Sequence, residues 1–310
     1  MTVLILLCSL LALAIAAREP DDEPLPVIDK LWNYQQPEET AETFRELLPR
    51  ARRSGNRDYL VQLLTQLGRT QSLQGKFAEA HRILDEAEGL LQPDLKTARV
   101  RYLLERGRTF NSDQKPERAR RLFREAWELA NAAGEEAYAL DAAHMLGIAE
   151  TPDEALKWNL QAIGLAERSK NERARRWLGP LYNNTGWTYY ERGDYPTALE
   201  LLNKAQAFYQ QHGSPVQIRI AKYSVGKTLR ALGKVEQALT IQEAIRTESE
   251  QANDPDGYLY EELGECLLAL KRHEEAKPHF ARAYELLSRD AWLVKNEPKR
   301  VERLKELAGT

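Results

Sequence analysis

The sequence predicts an all-α chain, a right-handed superhelical solenoid of antiparallel helical hairpins. Three observations carry this: glycine recurs at a fixed interval, small residues keep step with it, and apolar residues fall at helical spacing. The glycines are Gly68, Gly107, Gly147, Gly186, Gly226 and Gly264, separated by 39, 40, 39, 40 and 38 residues. Twelve residues after five of them stand Ala80, Ala119, Ala198, Ala238 and Ala276, while Ala155 follows Gly147 at eight because that unit lacks four residues. Nineteen after come Ala87, Ala126, Ala205 and Ala283, with Ala162 at fifteen in the shortened unit and Ile245 as the exception. A fixed period of this length is the signature of stacked units, each of which buries too little alone and closes its core against its neighbours.

At the N-terminus, Val3 to Ala17 is almost wholly apolar and is followed by Arg18-Glu19-Pro20-Asp21-Asp22-Glu23. This is shorter than the ~20 apolar residues of a comfortable membrane span. It ends in Ala14-Ile15-Ala16-Ala17, a small-residue ending like that of an export signal, but no Lys or Arg precedes it. Residues 1–17 therefore read either as a signal peptide removed after Ala16 or Ala17 or as an uncleaved anchor over residues 3–17. The chain is then exported or periplasmic, with membrane contact only through that leader; a misassigned start would make it cytoplasmic. Cys8 follows Ile5-Leu6-Leu7 rather than a small residue, which weakens a lipoprotein reading.

Residues 18–27 form a polar linker and residues 28–58 a degenerate N-terminal hairpin, its helix opening at Pro37-Glu38-Glu39-Thr40. Residues 61–290 hold six repeats. In each, the first helix ends at a turn, as at Gln74-Gly75-Lys76, Arg192-Gly193-Asp194 and Leu232-Gly233-Lys234, where glycine supplies a positive φ. Thr151-Pro152-Asp153 takes that role in the shortened unit. Runs such as Leu60, Leu63, Leu64, Leu67 and Leu122, Phe123, Ala126, Leu129, Ala130 give the amphipathic period. Within a hairpin, the repeat glycine is expected to face the alanine of the next helix, so that two backbones approach closely. Residues 291–310 are expected to form a capping helix.

With 310 residues, 43% hydrophobic and 29% charged, the chain is long enough for an extended folded body. Its net charge of -3 is spread over interleaved acids and bases, so no nucleic-acid surface is expected. Outside the leader only Cys266 remains, so the body forms no internal disulfide. The five histidines, His81, His144, His212, His273 and His279, are scattered. In His273-Glu274-Glu275-Ala276-Lys277, lysine stands where a zinc helix needs its second histidine. No glycine-rich phosphate loop is present, and Asn183-Asn184-Thr185 is a glycosylation sequon only formally, since it falls inside a repeat helix. The expectation is a protein that is not an enzyme and takes no cofactor and no metal.

Three stretches carry a resemblance to the tetratricopeptide repeat family. They are Tyr182, Gly186, Tyr189, Gly193, Tyr195, Ala198 and Ala205; Tyr260, Leu263, Gly264, Ala276, Phe280 and Ala283; and Leu103, Gly107, Phe110, Ala119, Phe123 and Ala126. The period exceeds the family's ~34 residues, which implies longer helices, as in kinesin light chains and peptide-sensing bacterial regulators. The run from Leu31-Trp32 onward also resembles an uncharacterised group of bacterial tetratricopeptide proteins.

The resemblance implies that the first helix of each hairpin lines a concave groove, through positions six and three before the glycine and one and four after it. On that footing the contacts expected for a protein or peptide ligand are Arg69, Arg108, Asn183, Trp187, Tyr190, Tyr223, Lys227 and Arg230, together with Asn184 beside Asn183. Asn183 and Asn184 resemble the paired asparagines that hold a peptide backbone, a carboxamide being able both to donate and to accept. The expected function is a protein–protein interaction scaffold holding a peptide or partner segment. The alternative is a structural or self-assembling envelope-associated protein.

Overall fold

The computed structural model describes residues 24–309, and among these the secondary structure is entirely helical. The leader expected over residues 1–17, and Cys8 with it, lies outside the described residues. The chain divides into two compact units, one ending at Lys115 and one spanning Pro116–Thr310.

In the first unit a 3-10 turn, Ile28–Leu31, precedes α1 (Pro37–Arg53), α2 (Arg57–Leu73), α3 (Phe77–Gly89) and α4 (Lys96–Ser112). α2 is the central element and packs against α1, α3, α4 and the 3-10 turn. Its buried face, with Val61, Leu63 and Leu64 at 0–1% exposure, meets Phe44 and Leu84, both fully buried. Burying each such side chain stabilises by about 1.5–3 kcal/mol relative to leaving it in water. The hairpin expected at residues 28–58 is replaced by this four-residue turn and a single helix. Pro37 sets the helix start and disfavours helical backbone at Gln36, which adopts φ -132° and ψ 68°. Trp32 bridges the gap, stacking on Tyr34 and meeting the ring of Phe44 edge-on.

The second unit runs α5 (Pro116–Ala132), α6 (Glu136–Ala149), α7 (Pro152–Arg168), the one-turn α8 (Glu172–Arg175), α9 (Leu178–Glu191), α10 (Tyr195–His212), α11 (Pro215–Ala231), α12 (Val235–Gln251), α13 (Gly257–Ala269), α14 (His273–Leu287), α15 (Ala291–Asn296) and α16 (Pro298–Ala308). Successive helices pack in chain order, α7 passing directly to α9 while α8 sits on α6 and α7. The cap expected as one helix over residues 291–310 is two. Glu297, held at φ -129° by the proline after it, breaks the chain between α15 and α16. Leu293 and Leu304 still close the end of the core.

The glycines do stand at close helix contacts, but what they face is a large side chain rather than an alanine. A Cβ built on Gly68 would lie 2.9 Å from Leu84 Cγ, on Gly186 2.7 Å from Leu202 Cγ, and on Gly264 2.7 Å from Phe280 Cζ. Gly68, Gly186, Gly226 and Gly264 are thus each a socket for the residue sixteen places on. The alanines at twelve and nineteen, almost all at 0–1% exposure, let the two helices close around that knob. Two sockets take polar knobs: Gln242 over Gly226, and Asn159 over Gly147, twelve on because of the four-residue deletion.

Seven residues after every repeat glycine but Gly147 the first helix stops in left-handed backbone. Gly75, Gly193 and Gly233 occupy that position at φ 72–79°, while two repeats carry a side chain there, Gln114 at φ 57° and Lys271 at φ 62°. In the last repeat Arg272 N–H donates to Leu267 O at 2.9 Å and Lys271 N–H to Leu268 O at 2.9 Å, the paired bonds of a Schellman cap. A side chain in this conformation costs roughly 1–2 kcal/mol, and glycine loses about 0.4–1 kcal/mol in unfolded-state entropy. Lys271→Gly is therefore expected to stabilise by about 0.5–1 kcal/mol; an unchanged or lower melting temperature would refute it.

Candidate functional site

In the first unit the cations expected in the groove are held by internal partners. Arg108 Nη1 donates to Glu105 Oε1 at 2.9 Å, Arg69 Nε lies 3.5 Å from Glu105 Oε2, and Gln66 Nε2 reaches Glu105 Oε1 at 3.3 Å. Trp32 Nε1 donates to Gln66 Oε1 at 3.0 Å, which ties the N-terminal segment to this network. One turn earlier, Arg101 bonds Gln62 and Asp29. Arg108 and Glu105 are nearly buried, and Arg69 and Arg108 both lie against the Glu105 carboxylate.

The second unit differs. On α9 and α11, Asn183, Asn184, Trp187, Tyr190, Tyr223 and Lys227 form one half-buried strip. Trp187 meets Tyr190 edge-on at 5.1 Å between centroids, and Tyr190 meets Tyr195 at 5.2 Å. Lys227 Nζ lies 5.9 Å from the Trp187 ring, 5.6 Å from the Tyr223 ring and 3.4 Å from the Tyr223 hydroxyl. Among the described residues no carboxylate lies within 4.0 Å of it. Burial, and then Glu262, Glu261 and Asp256, push the Tyr223 phenol well above its ordinary range, so it keeps its proton.

Asn183 Nδ2 donates to Asn184 Oδ1 at 3.3 Å, while the buried Asn183 Oδ1 accepts nothing from the protein. Arg230 is not available in the same way. It binds Glu262 through two nitrogens, Nη2 to Oε2 at 3.0 Å, and Glu262 is 2% exposed. Burial pulls the Arg230 guanidinium down, but the hydrogen bonds and charge of Glu262 outweigh it and hold the group above its usual range.

Two clefts flank the strip. One, of about 440 Å³, lies at the start of α11 and α13, where Ile220, Tyr223, Tyr258 and Leu287 line it and Asp254, Asp256 and Asp290 rim it. The other, of about 270 Å³, lies between α6, α7 and α9 and is lined by residues including Gly147, Ile148, Asn159, Asn184, Trp187 and Glu191. Sequence reading missed both. The signal for the second was present: Asn159 occupies the knob position where the neighbouring repeats carry Leu84, Phe123 and Leu202, once the deletion is allowed for.

Cys266 is buried, and burial followed by the charge of Glu262 pushes its thiol up to about 12, out of nucleophilic range at neutral pH. Among the described residues no three His, Cys, Asp or Glu side chains gather as metal ligands, and no helix is long and apolar enough to cross a membrane.

Residues 258–286 match the model of a tetratricopeptide repeat. No curated protein sequence matches the chain. Among solved structures, the apo form of RapI superposes with a TM-score of 0.68 at 13% identity, over 91% of this chain and 78% of RapI. BtubC (BKLC) from P. vanneervenii gives 0.58 at 16% identity, over 74% of this chain and 94% of its own. The apo form of the quorum sensor NprR from B. thuringiensis gives 0.52 at 14%, over 82% and 83%. At these identities the likeness is one of fold: helical hairpins of the tetratricopeptide kind, stacked as a solenoid.

Proposed function

We propose that this tetratricopeptide-repeat chain is a non-catalytic interaction scaffold that holds an extended peptide or partner segment along α9 and α11 of its second unit. The observation that carries the reading is Lys227. An ammonium set between two aromatic rings, with no carboxylate to neutralise it, is a ready partner for a carboxylate or a backbone carbonyl of a ligand. Beside it the Tyr223 phenol retains a proton to donate, and the Asn183 carboxamide has a buried oxygen that accepts nothing from the protein. These groups can bond both the carbonyls and the amides of an extended chain. The likeness to RapI and to the quorum sensor NprR supports an interaction scaffold of this kind without naming its ligand.

Selection from a displayed library of random peptides tests the reading. The wild-type chain is expected to enrich a family of sequences that the Asn183→Ala, Lys227→Ala double variant does not. Identical enrichment by the two proteins would remove this strip from the site.

A further inference from the structure

The cleft between α6, α7 and α9 is built around a polar group that the fold does not need. Asn159 is 5% exposed, and its Oδ1 accepts no hydrogen bond from the protein. An unmet buried acceptor of this kind costs roughly 1–3 kcal/mol, at a position where neighbouring repeats place leucine or phenylalanine. Gly147 is its socket: a Cβ there would collide with Asn159 Oδ1, so both residues are required for this arrangement. The four-residue deletion shortens the same hairpin and leaves Ile148 54% exposed at the rim.

His144 and Thr188 also line the cleft, and the groups that bear on a charged ligand are a carboxylate, an amide oxygen and an indole. Glu191 supplies a carboxylate at the mouth with no cation within 4.0 Å among the described residues. Its neighbour Arg192 is turned to Asp153, at 2.8 Å, and to Pro152 O, at 2.9 Å. Trp187 offers an indole, and no lysine or arginine lines the space. A carboxylate, an unmet amide oxygen and an aromatic ring select a cation with several hydrogens arranged in a plane. The volume, about 270 Å³, falls below the roughly 300–1,000 Å³ of sites for drug-sized molecules, which suits one side chain.

We infer that this cleft is a specificity pocket for the guanidinium of an arginine carried by the bound segment. Its hydrogens meet Asn159 Oδ1 and the Glu191 carboxylate, and its plane lies against Trp187. The inference deepens the scaffold reading, since Asn184 and Trp187 belong both to the strip and to the cleft.

N-acetyl-arginine N-methylamide, titrated into the full chain while the Trp187 indole resonance is followed, tests the pocket without any peptide ligand. The resonance, assigned with Trp187→Phe, is expected to move in a saturable way. The citrulline analogue, which keeps the shape and loses the charge, is expected to bind at least about tenfold more weakly, as is the lysine analogue. Asn159→Leu, which restores the repeat's own knob, and Glu191→Gln, at an exposed position, are both expected to abolish the shift in chains that melt no lower than wild type.

No shift with the arginine compound, equal binding of citrulline, or binding retained in both variants would overturn the inference. The library selection separates it from the scaffold reading. Enriched peptides without arginine would leave the scaffold and sink the pocket; a saturable arginine shift with no enriched peptide would do the reverse.

Discussion

Phe280→Ala is expected to lower the stability of the chain by about 3–5 kcal/mol, the range for deleting a buried aromatic ring. Phe280 is fully buried, and its ring lies directly over Gly264, which has no side chain to move into the space left behind. Ala276, Ala283 and Leu267 around it are themselves buried and held on rigid helices, so the void persists. Phe280→Leu tests the same geometry from the other side. Leucine already fills the equivalent socket as Leu84 and Leu202, and a change that keeps most of the volume costs less than about 1.5 kcal/mol. Urea unfolding of both variants checks this; a loss below about 1 kcal/mol for the alanine variant would mean that the knob-in-socket account of the repeat is wrong.

Arg230→Ala is expected to cost about 3–5 kcal/mol, because it leaves Glu262 charged and unpaired inside the second unit. Glu262 is 2% exposed, and the Arg230 side chain is only 24% exposed, so water does little to screen the pair. Arg230→Met combined with Glu262→Leu removes both charges and is expected to recover most of the loss, since a well-packed apolar pair often replaces a buried ion pair without penalty. Thermal unfolding of the single and double variants is the check. A single variant as stable as wild type, or a double variant less stable than the single, would contradict a structural role for the pair. Arg230, expected on the ligand-binding face, is in the structure the partner of the buried Glu262.

The helices were legible because their determinants are local. Glycine sockets, alanine contacts and amphipathic spacing recur on one register, so the positions of Gly68 through Gly264 on α2, α4, α6, α9, α11 and α13 follow from counting. The partner of each glycine was not legible in the same way. Two small residues at fixed spacing suggest a glycine–alanine contact, and only the crossing of the helices brings Leu84, Leu202 and Phe280 over the glycines instead. At the C-terminal end a proline effect won over the periodic pattern: Pro298 splits a stretch that reads as one capping helix.

In the candidate site, the positions implied by the family resemblance include Asn183, Asn184, Trp187, Tyr190, Tyr223 and Lys227, which the structure brings to one strip. Arg108 has a local partner in Glu105, but most of the pairing depends on residues 32 to 72 positions away, as in Arg230 with Glu262 and Arg101 with Asp29. Asn159 shows the converse. A polar residue at a core position is visible in the sequence only after the deleted residues are restored to the register.

Calorimetric titration of a library-selected peptide into wild type, Lys227→Ala and Lys204→Ala tests the central claim most directly. Lys204 lies on α10 and is paired with Glu200 at 3.1 Å, so it serves as a cation away from the strip. If α9 and α11 hold the segment, Lys227→Ala weakens binding by about tenfold or more and Lys204→Ala leaves it unchanged. Equal affinity for all three proteins, or a loss shared by both variants, would contradict the account.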